Sequence, residues 1–170
     1  MNSIKQIEVI YNNRLVGRLA LTREGLCAFE YSAEWLSSGF SISPFELPLR
    51  SGVFIAKPRP FEGGFGVFDD CLPDGWGLLI LDRYLQQKGI NPRTLTLLDR
   101  LALVGSTGRG ALEFRPDNSV VTRQDFADFE KLALEAEKIL ASDDYMGEGI
   151  EKFQDRGGSP GGARPKIFVR

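Results

Sequence analysis

Histidine is absent from this sequence of 170 residues, and its absence excludes several kinds of chemistry. Without histidine there is no Ser-His or Cys-His pair to activate a nucleophile, and a zinc site loses one of its usual ligands. Any catalysis must then use carboxylates, Lys, Arg, Tyr or the backbone. Cysteine is scarce as well. Cys27 and Cys71 lie in hydrophobic stretches without disulfide or metal spacing, so we predict buried free thiols in a reducing cytoplasm.

A surplus of positive charge is also lacking. The chain has 21 Lys and Arg against 23 Asp and Glu, a net charge of −2. This balance gives no reason to expect direct binding to nucleic acid or to an anionic membrane surface. Apolar runs such as residues 78–81 are far too short to cross a bilayer, and the first residues contain no apolar signal core. We therefore predict a cytoplasmic protein with no membrane partner.

Turn residues divide the first part of the chain into strands. Residues 4–11 are rich in β-branched and aromatic side chains, and Asn12-Asn13 follows as a tight turn because Asn tolerates left-handed dihedrals. Residues 15–21, with Gly17 as a possible bulge, and residues 26–31 complete an antiparallel meander of strands. Ser32 can cap a single helical turn after the meander.

Helical periodicity dominates the middle of the chain. We predict helices over residues 75–87, ended by Gly89, over 94–104 and over 122–140, and strands over 53–56 and 111–115. The expected fold class is α+β. It combines an antiparallel meander, or a partly closed small barrel, with several packed helices.

Three local patterns have both a structural and a functional interpretation. Asp69, Asp70 and Asp74 could hold a divalent metal or perform acid–base chemistry, but turn and cap chemistry before a helix is favoured. The glycine-rich loop 61–66 is favoured as a structural turn that packs its aromatic residues. Trp76 is favoured as a packing residue, with an exposed docking aromatic as the alternative.

The end of the sequence is a glycine-rich loop, then cationic residues, then an apolar run that stops at Arg170. Small residues let backbone N–H groups converge on an anion, and Arg164 and Lys166 place positive charge behind the loop. This is no Walker motif, because no Gly-Lys-Ser/Thr opens a helix. A glycine loop that runs into a strand resembles the nucleotide loop of protein kinases. A flexible tail is the alternative.

Three segments, in this order, together resemble the HipA-type serine/threonine kinase toxins of bacterial toxin–antitoxin systems. They are residues 68–77 with Leu81-Asp82-Arg83, residues 103–114, and residues 157–166. The meander with Arg14-Leu15-Val16-Gly17-Arg18-Leu19 fits the same family. The resemblance implies a HipA-type N-terminal subdomain over 1–116, a long helix and connector over 117–156, and the first loop and strand of a kinase core over 157–170.

The resemblance also implies roles for the terminal residues. Ser159 corresponds to the loop serine that the family autophosphorylates, and phosphorylation would add about −1.5 to −2 charge, which repels ATP phosphates. The residues expected to contact ATP in the full-length protein are Gly161, Gly162, Ala163, Arg164, Pro165 and Lys166. The catalytic and Mg²⁺-binding acids would follow residue 170. We therefore expect this chain to be inactive alone and to bind neither ATP nor metal.

The partners that the resemblance implies are proteins. A HipB-like helix-turn-helix antitoxin would bind the full-length kinase, with DNA reached only through that antitoxin, and the phosphorylated substrate would be an aminoacyl-tRNA synthetase. An alternative belongs to another functional class. The chain could be a stand-alone module that regulates a separate short kinase, with Trp76 and the turn Leu72-Pro73-Asp74 as contacts. The apolar run at the end leads us to expect a longer protein.

Overall fold

The computed structural model describes residues 4–73, 75–108, 110–119 and residue 138, apart from the side chains at positions 76, 80 and 87. The chain divides into two compact units. The first comprises Met1–Leu72 and Leu95–Ser119, and the second comprises Pro73–Thr94 and Val120–Arg170. The predicted helix over 122–140 lies outside the described residues except for Lys138, which is helical. The predicted connector and terminal loop lie wholly outside them, and the predicted domain boundaries stay predictions.

An antiparallel sheet forms the centre of the first unit, in the order β4-β3-β2-β1-β5. The fold is α+β, as predicted. The sheet is open, however, so the partly closed barrel does not form among the described residues, where β4 and β5 are separate edges. Its strands are β1 Gln6–Tyr11, β2 Arg14–Leu21, β3 Cys27–Tyr31, β4 Val53–Ile55 and β5 Leu112–Arg115.

Local sequence signals determine the first turn and the bulge of the meander. Asn12 and Asn13 both have positive φ, 46° and 60°, as expected for the hairpin turn that matches strand twist. The register between β1 and β2 shifts between Val9 and Ile10, beside Gly17, which confirms the predicted bulge. A Cβ at Gly17 would overlap the carbonyl oxygen of Glu30 and lie 2.7 Å from the Phe29 ring. Glycine is therefore required at this position, where β2 pairs with β3.

Among the described residues, the helices of the first unit are short, and helix α3 of the second unit, Gly75–Gln87, is longer. Helix α3 ends in a Schellman motif, because the N–H of Ile90 donates to Leu85 and that of Gly89 to Gln86. Gly89 has the positive φ, 71°, that this ending needs. The helices are α1 Ala33–Ser38, α2 Gly66–Asp69, α3 Gly75–Gln87 and α4 Leu97–Val104, with a 3-10 turn over Pro92–Thr94.

Helix α4 starts three residues later than predicted, at Leu97 instead of residue 94. Thr96 is its N-cap, and Thr96 and Asp99 form a capping box in which each side chain accepts a hydrogen bond from the other's backbone N–H. The same Asp99 carboxylate accepts a hydrogen bond from the N–H of Ile4 at 2.9 Å. Asp99 is buried. One carboxylate thus fixes both the start of α4 and the chain segment that leads into β1.

Aromatic residues join the sheet to the short helices in one core. Phe29 on β3 lies 4.9 Å, centroid to centroid, from Tyr31 and 5.5 Å from Phe68 of α2. Trp35 of α1 is buried and donates its indole N–H to the carbonyl of Phe40 at 2.9 Å. Among the described residues, no helix is both long and apolar enough to cross a membrane.

Candidate functional site

The beginning of the first family-like segment, residues 68–72, contacts the second segment in the first unit, around the ring of Phe68. Phe68 is fully buried in the first segment, and its ring lies 6.3 Å from Phe114 of the second segment. It also contacts Phe65 at 6.1 Å. Residues distant in sequence are therefore brought together by packing around one ring. The third segment lies outside the described residues.

Cys71 lies at the same junction and is a buried free thiol, as predicted. Its Sγ donates to the carbonyl of Val67 at 3.3 Å, and a Cβ at Gly110 would lie 3.8 Å from this sulfur. Burial, with a smaller effect of Asp70, raises the pKa of Cys71 to about 11. Burial alone raises the pKa of Cys27 to about 11. Both thiols stay protonated near neutral pH and are packing groups, not nucleophiles.

The acidic residues before α3 show turn chemistry where they are described. Asp69 and Asp70 are exposed, and Asp70 is the C-cap of α2. Partial burial, then the charges of Asp70 and Glu62, raise the pKa of Asp69. No group of three or more His, Cys, Asp or Glu within the described ranges could hold a metal ion. Asp74, the third member of the predicted cluster, is not among the described residues.

The glycine-rich loop 61–66 is a structural turn, as predicted. Phe65 is buried, and a Cβ at Gly66 would lie 2.8 Å from the ring of Phe61. The N–H of Gly66 donates to Glu46 at 3.0 Å, which ties the loop to the segment between α1 and β4. No signal in the sequence marks Glu46, because no local pattern connects a residue in a proline-rich stretch to the start of a helix 20 positions further along the chain.

A second acidic residue that the sequence analysis missed closes the loop after α4. The Asp117 carboxylate accepts from the N–H groups of Ser106, at 3.0 Å, and Ser119, at 2.9 Å. Gly105 has φ 53°, and a Cβ there would overlap this carboxylate. The Asp117-Asn-Ser119 spacing is an Asx-turn signal that could have located the second of these bonds. Asp117 therefore holds the loop of the second recognised segment in place.

The Asp117 carboxylate should make the stability of the first unit depend on pH. Burial raises its pKa, but the hydrogen bonds from Ser106 and Ser119 outweigh burial and leave the pKa below its usual value. Such a carboxylate stabilises the fold above the unfolded pKa, about 3.9, and that contribution disappears as the pH falls through the folded pKa. We expect the Asp117→Asn variant to be less stable than the natural chain at neutral pH, with the difference shrinking below about pH 4. Urea unfolding across this range measures it, and a difference independent of pH would contradict the assignment.

Arg83 is a further residue to which the sequence patterns gave no separate role. It belongs to the first recognised segment, on α3 of the second unit, and only 7% of its surface is exposed. Its Nη1 atom is buried and has no hydrogen-bond partner among the described residues. A buried donor without an acceptor costs free energy. Arg83 thus has a hydrogen-bonding requirement that the described part of the chain does not meet.

Of the site residues predicted from the sequence, Trp76 lies in the described part of the chain, and the residues of the terminal loop lie outside it. Trp76 is in α3, as predicted from the periodicity, but its side chain is not described. Neither its packing role nor its docking role is tested. Residues 157–170, with the predicted autophosphorylation and ATP-contacting positions, lie outside the described residues. Their roles stay predictions.

Comparison with known proteins identifies the family. A family model described as the HipA N-terminal domain matches residues 7–115. This match spans more than half of the chain, and it covers the five strands of the described sheet, except the first residue of β1, and the first two recognised segments. The chain therefore belongs to the HipA N-terminal domain family, which confirms the resemblance for this part of the sequence.

A solved structure has the same fold. It is a complex of HipA, HipB and operator DNA from a toxin–antitoxin system of Shewanella oneidensis MR-1. The matching chain is 20% identical to this one, with a TM-score of 0.51. The alignment covers 77% of this chain but 29% of the matched chain. At this identity the likeness describes the fold, and this chain spans less than a third of its structural relative. No curated protein matched the sequence.

Proposed function

We propose that this chain is the N-terminal part of a HipA-like serine/threonine kinase toxin that is neutralised by a HipB-like antitoxin. The family match over residues 7–115 carries the proposal. The structural relative comes from a complex with HipB and operator DNA, which supports an antitoxin as the partner. The substrate class that follows from the resemblance is a protein, with an aminoacyl-tRNA synthetase as the expected target. DNA would be reached through the antitoxin.

Within this proposal, the chain contributes a folded N-terminal domain and the beginning of an ATP site. The phosphate loop would use backbone N–H groups of Gly161 and Gly162, with positive charge from Arg164 and Lys166. Ser159 would be the regulatory phosphorylation site. These residues lie outside the described part, so the sequence of the loop supports this step. The Mg²⁺ ligands would belong to the kinase core.

A stand-alone regulatory module is the second candidate function. It is favoured by the first unit, whose described residues surround one continuous hydrophobic cluster that draws on all five strands. A domain with its own core can fold and act as a separate gene product. In that case the chain would neutralise a separate short kinase, with Trp76 and the turn at Leu72 and Pro73 as contacts. Reading the gene beyond codon 170 distinguishes the two candidates.

ATP binding tests the kinase proposal. We expect a gene product extended beyond residue 170 to bind ATP with Mg²⁺, and the 170-residue chain not to bind it. In the extended product, replacing Lys166 with alanine should weaken binding about tenfold or more, because one charge-assisted phosphate contact is lost. Isothermal titration calorimetry measures both, with Lys5→Ala as a control because Lys5 is exposed and far from the loop in sequence. Tight binding by both lengths, or by neither, would contradict the proposal.

A further inference from the structure

The two edges of the sheet differ in whether the backbone groups on their outer side form hydrogen bonds with other described residues. At the β5 edge, the N–H of Phe114 donates to the carbonyl of Gly105 at 3.1 Å, so the loop after α4 covers this side. At the opposite edge, β4 pairs with β3 on one side. None of the described residues forms a strand on its other side. Within the described part of the chain, the sheet therefore has one edge that is partly covered and one that is uncovered.

The register determines which backbone groups of β4 face outward. The N–H of Ala56 donates to the carbonyl of Cys27 at 2.8 Å, so Ala56 faces β3. N–H and C=O groups alternate between the two sides of a strand, so Phe54 also faces β3 while Val53 and Ile55 face away. Val53 and Ile55 thus direct two donors and two acceptors to the uncovered side. A further strand could pair with both residues without disturbing β3.

The side chains of the same two residues are apolar and exposed. Val53 is 58% exposed and Ile55 is 61% exposed, while Phe54 between them is buried. Proteins protect a strand edge from unwanted pairing with charged side chains, prolines and short strands. β4 is short, and Lys57-Pro58 follows it, but β-branched apolar residues occupy its two outward-facing positions. β-branched apolar residues promote strand pairing, so this edge is better suited to binding another strand than to repelling one.

The charges around β4 indicate what kind of strand would bind. Arg50, Lys57 and Arg59 are exposed on either side of β4, and there is no acidic residue from 47 to 61. Glu30 lies opposite Val53 on β3, so one carboxylate stands beside the three cations, and Arg18 across from Glu30 on β2 pairs with Glu8. This edge is therefore cationic, although the chain as a whole has a net charge of −2. Two copies of the edge paired with each other would bring these cations together, which disfavours a second copy of this chain.

We propose that the outer edge of β4 binds an extended acidic segment of a partner protein, which joins the sheet as an additional strand. Main-chain hydrogen bonds to Val53 and Ile55 provide the pairing, their side chains give an apolar contact, and the three cations select acidic residues in the partner. This mode of binding needs neither ATP nor the terminal loop, so it goes beyond the proposed kinase function. Its test is independent of that function.

A synthetic peptide in which Glu and Val alternate is a direct probe. We expect it to bind the 170-residue chain, to bind more weakly as salt is added, and to slow amide hydrogen exchange at Val53 and Ile55. Exchange at Phe54 and Ala56 should change little, because their N–H groups already face β3. A peptide in which Lys replaces each Glu is the matched control and should bind at least about tenfold more weakly. Fluorescence anisotropy and exchange measured by NMR provide the two readouts.

Two variants separate pairing from charge. Ile55→Pro removes an outward N–H, which an edge strand tolerates, and should weaken binding of the Glu peptide about tenfold with unchanged stability; Ile55→Val is its control. The double variant Lys57→Glu, Arg59→Glu should reverse the preference toward the Lys peptide. Equal binding of both peptides, no binding of either, or protection on β5 would overturn the proposal. The proposal would also be overturned if amide exchange at Val53 and Ile55 were already slow without peptide, or if duplex DNA protected the same two amides.

Discussion

Replacing Asp99 with alanine is expected to destabilise the first unit by about 3 kcal/mol, which lowers its Tm by about 12–24 °C. The buried carboxylate accepts hydrogen bonds from the N–H groups of Ile4 and Thr96, both at 2.9 Å, and from the Thr96 hydroxyl at 2.7 Å. Alanine would remove the acceptor and leave the two backbone donors without it. Thermal unfolding followed by circular dichroism measures the change.

Thr96→Ala is the matched control for this prediction. It removes the N-cap side chain of α4 but leaves Asp99 free to accept from Ile4. We expect a loss of about 1 kcal/mol, the usual effect of removing an N-cap. The difference between the two variants measures the bonds that the N–H groups of Ile4 and residue 96 donate to Asp99, together with the cost of leaving both donors unpaired. Equal losses in both variants would show that this long-range bond contributes nothing to stability.

Replacing Phe68 with alanine is expected to have the largest effect of any single change discussed, about 4 kcal/mol. Its ring is fully buried and contacts Phe29, Phe65 and Phe114. Alanine leaves a cavity where α2, the sheet and the second recognised segment meet. Since domains are commonly stable by about 5–15 kcal/mol, a considerable part of the total would be lost. Urea unfolding measures the shift in the midpoint.

Phe45→Ala provides the control for an aromatic residue outside the core. Phe45 is 99% exposed, so its removal should change the free energy of unfolding by no more than about 0.5 kcal/mol. A double-mutant cycle with Phe68→Leu and Phe114→Leu tests the contact between the two recognised segments directly. We expect a coupling of about 0.5–1.5 kcal/mol. Additive losses would mean that the two rings are neighbours without interacting.

Short-range sequence signals were sufficient to predict the local features of the fold, which are a turn, a bulge and the end of a helix. The Asn12-Asn13 turn, the bulge beside Gly17 and the Schellman ending at Gly89 each depend on a residue that tolerates positive φ or close backbone contact. Helix α3 has the predicted bounds, Gly75–Gln87. In α4 the predicted end was correct but the start was wrong. Periodicity reports the buried face of a helix, whereas the Thr96 cap determines where that helix begins.

Long-range pairing could not be read from the sequence. Nothing local indicates that β5 pairs with β1, so the sheet order and its open form required the structure. The same limit applies to Asp117, Glu46 and the bond from Ile4 to Asp99, where a carboxylate accepts from a residue distant in the chain. The family was recognisable because its segments are local patterns in a fixed order. The ATP-contacting and phosphorylation residues follow from that resemblance and stay predictions.

The pairing of β1 with β5 has a consequence for the synthesis of the protein. Folding is slow when the residues that pair are far apart in sequence, and the bond from Ile4 to Asp99 spans 95 positions. A ribosome adds about 5–20 residues per second, so β1 must wait roughly 5–20 s for β5 to be translated. During that interval the nascent chain displays Ile7, Val9 and an unpaired strand edge. A chaperone would have its best opportunity to bind this domain then, before the last strand emerges.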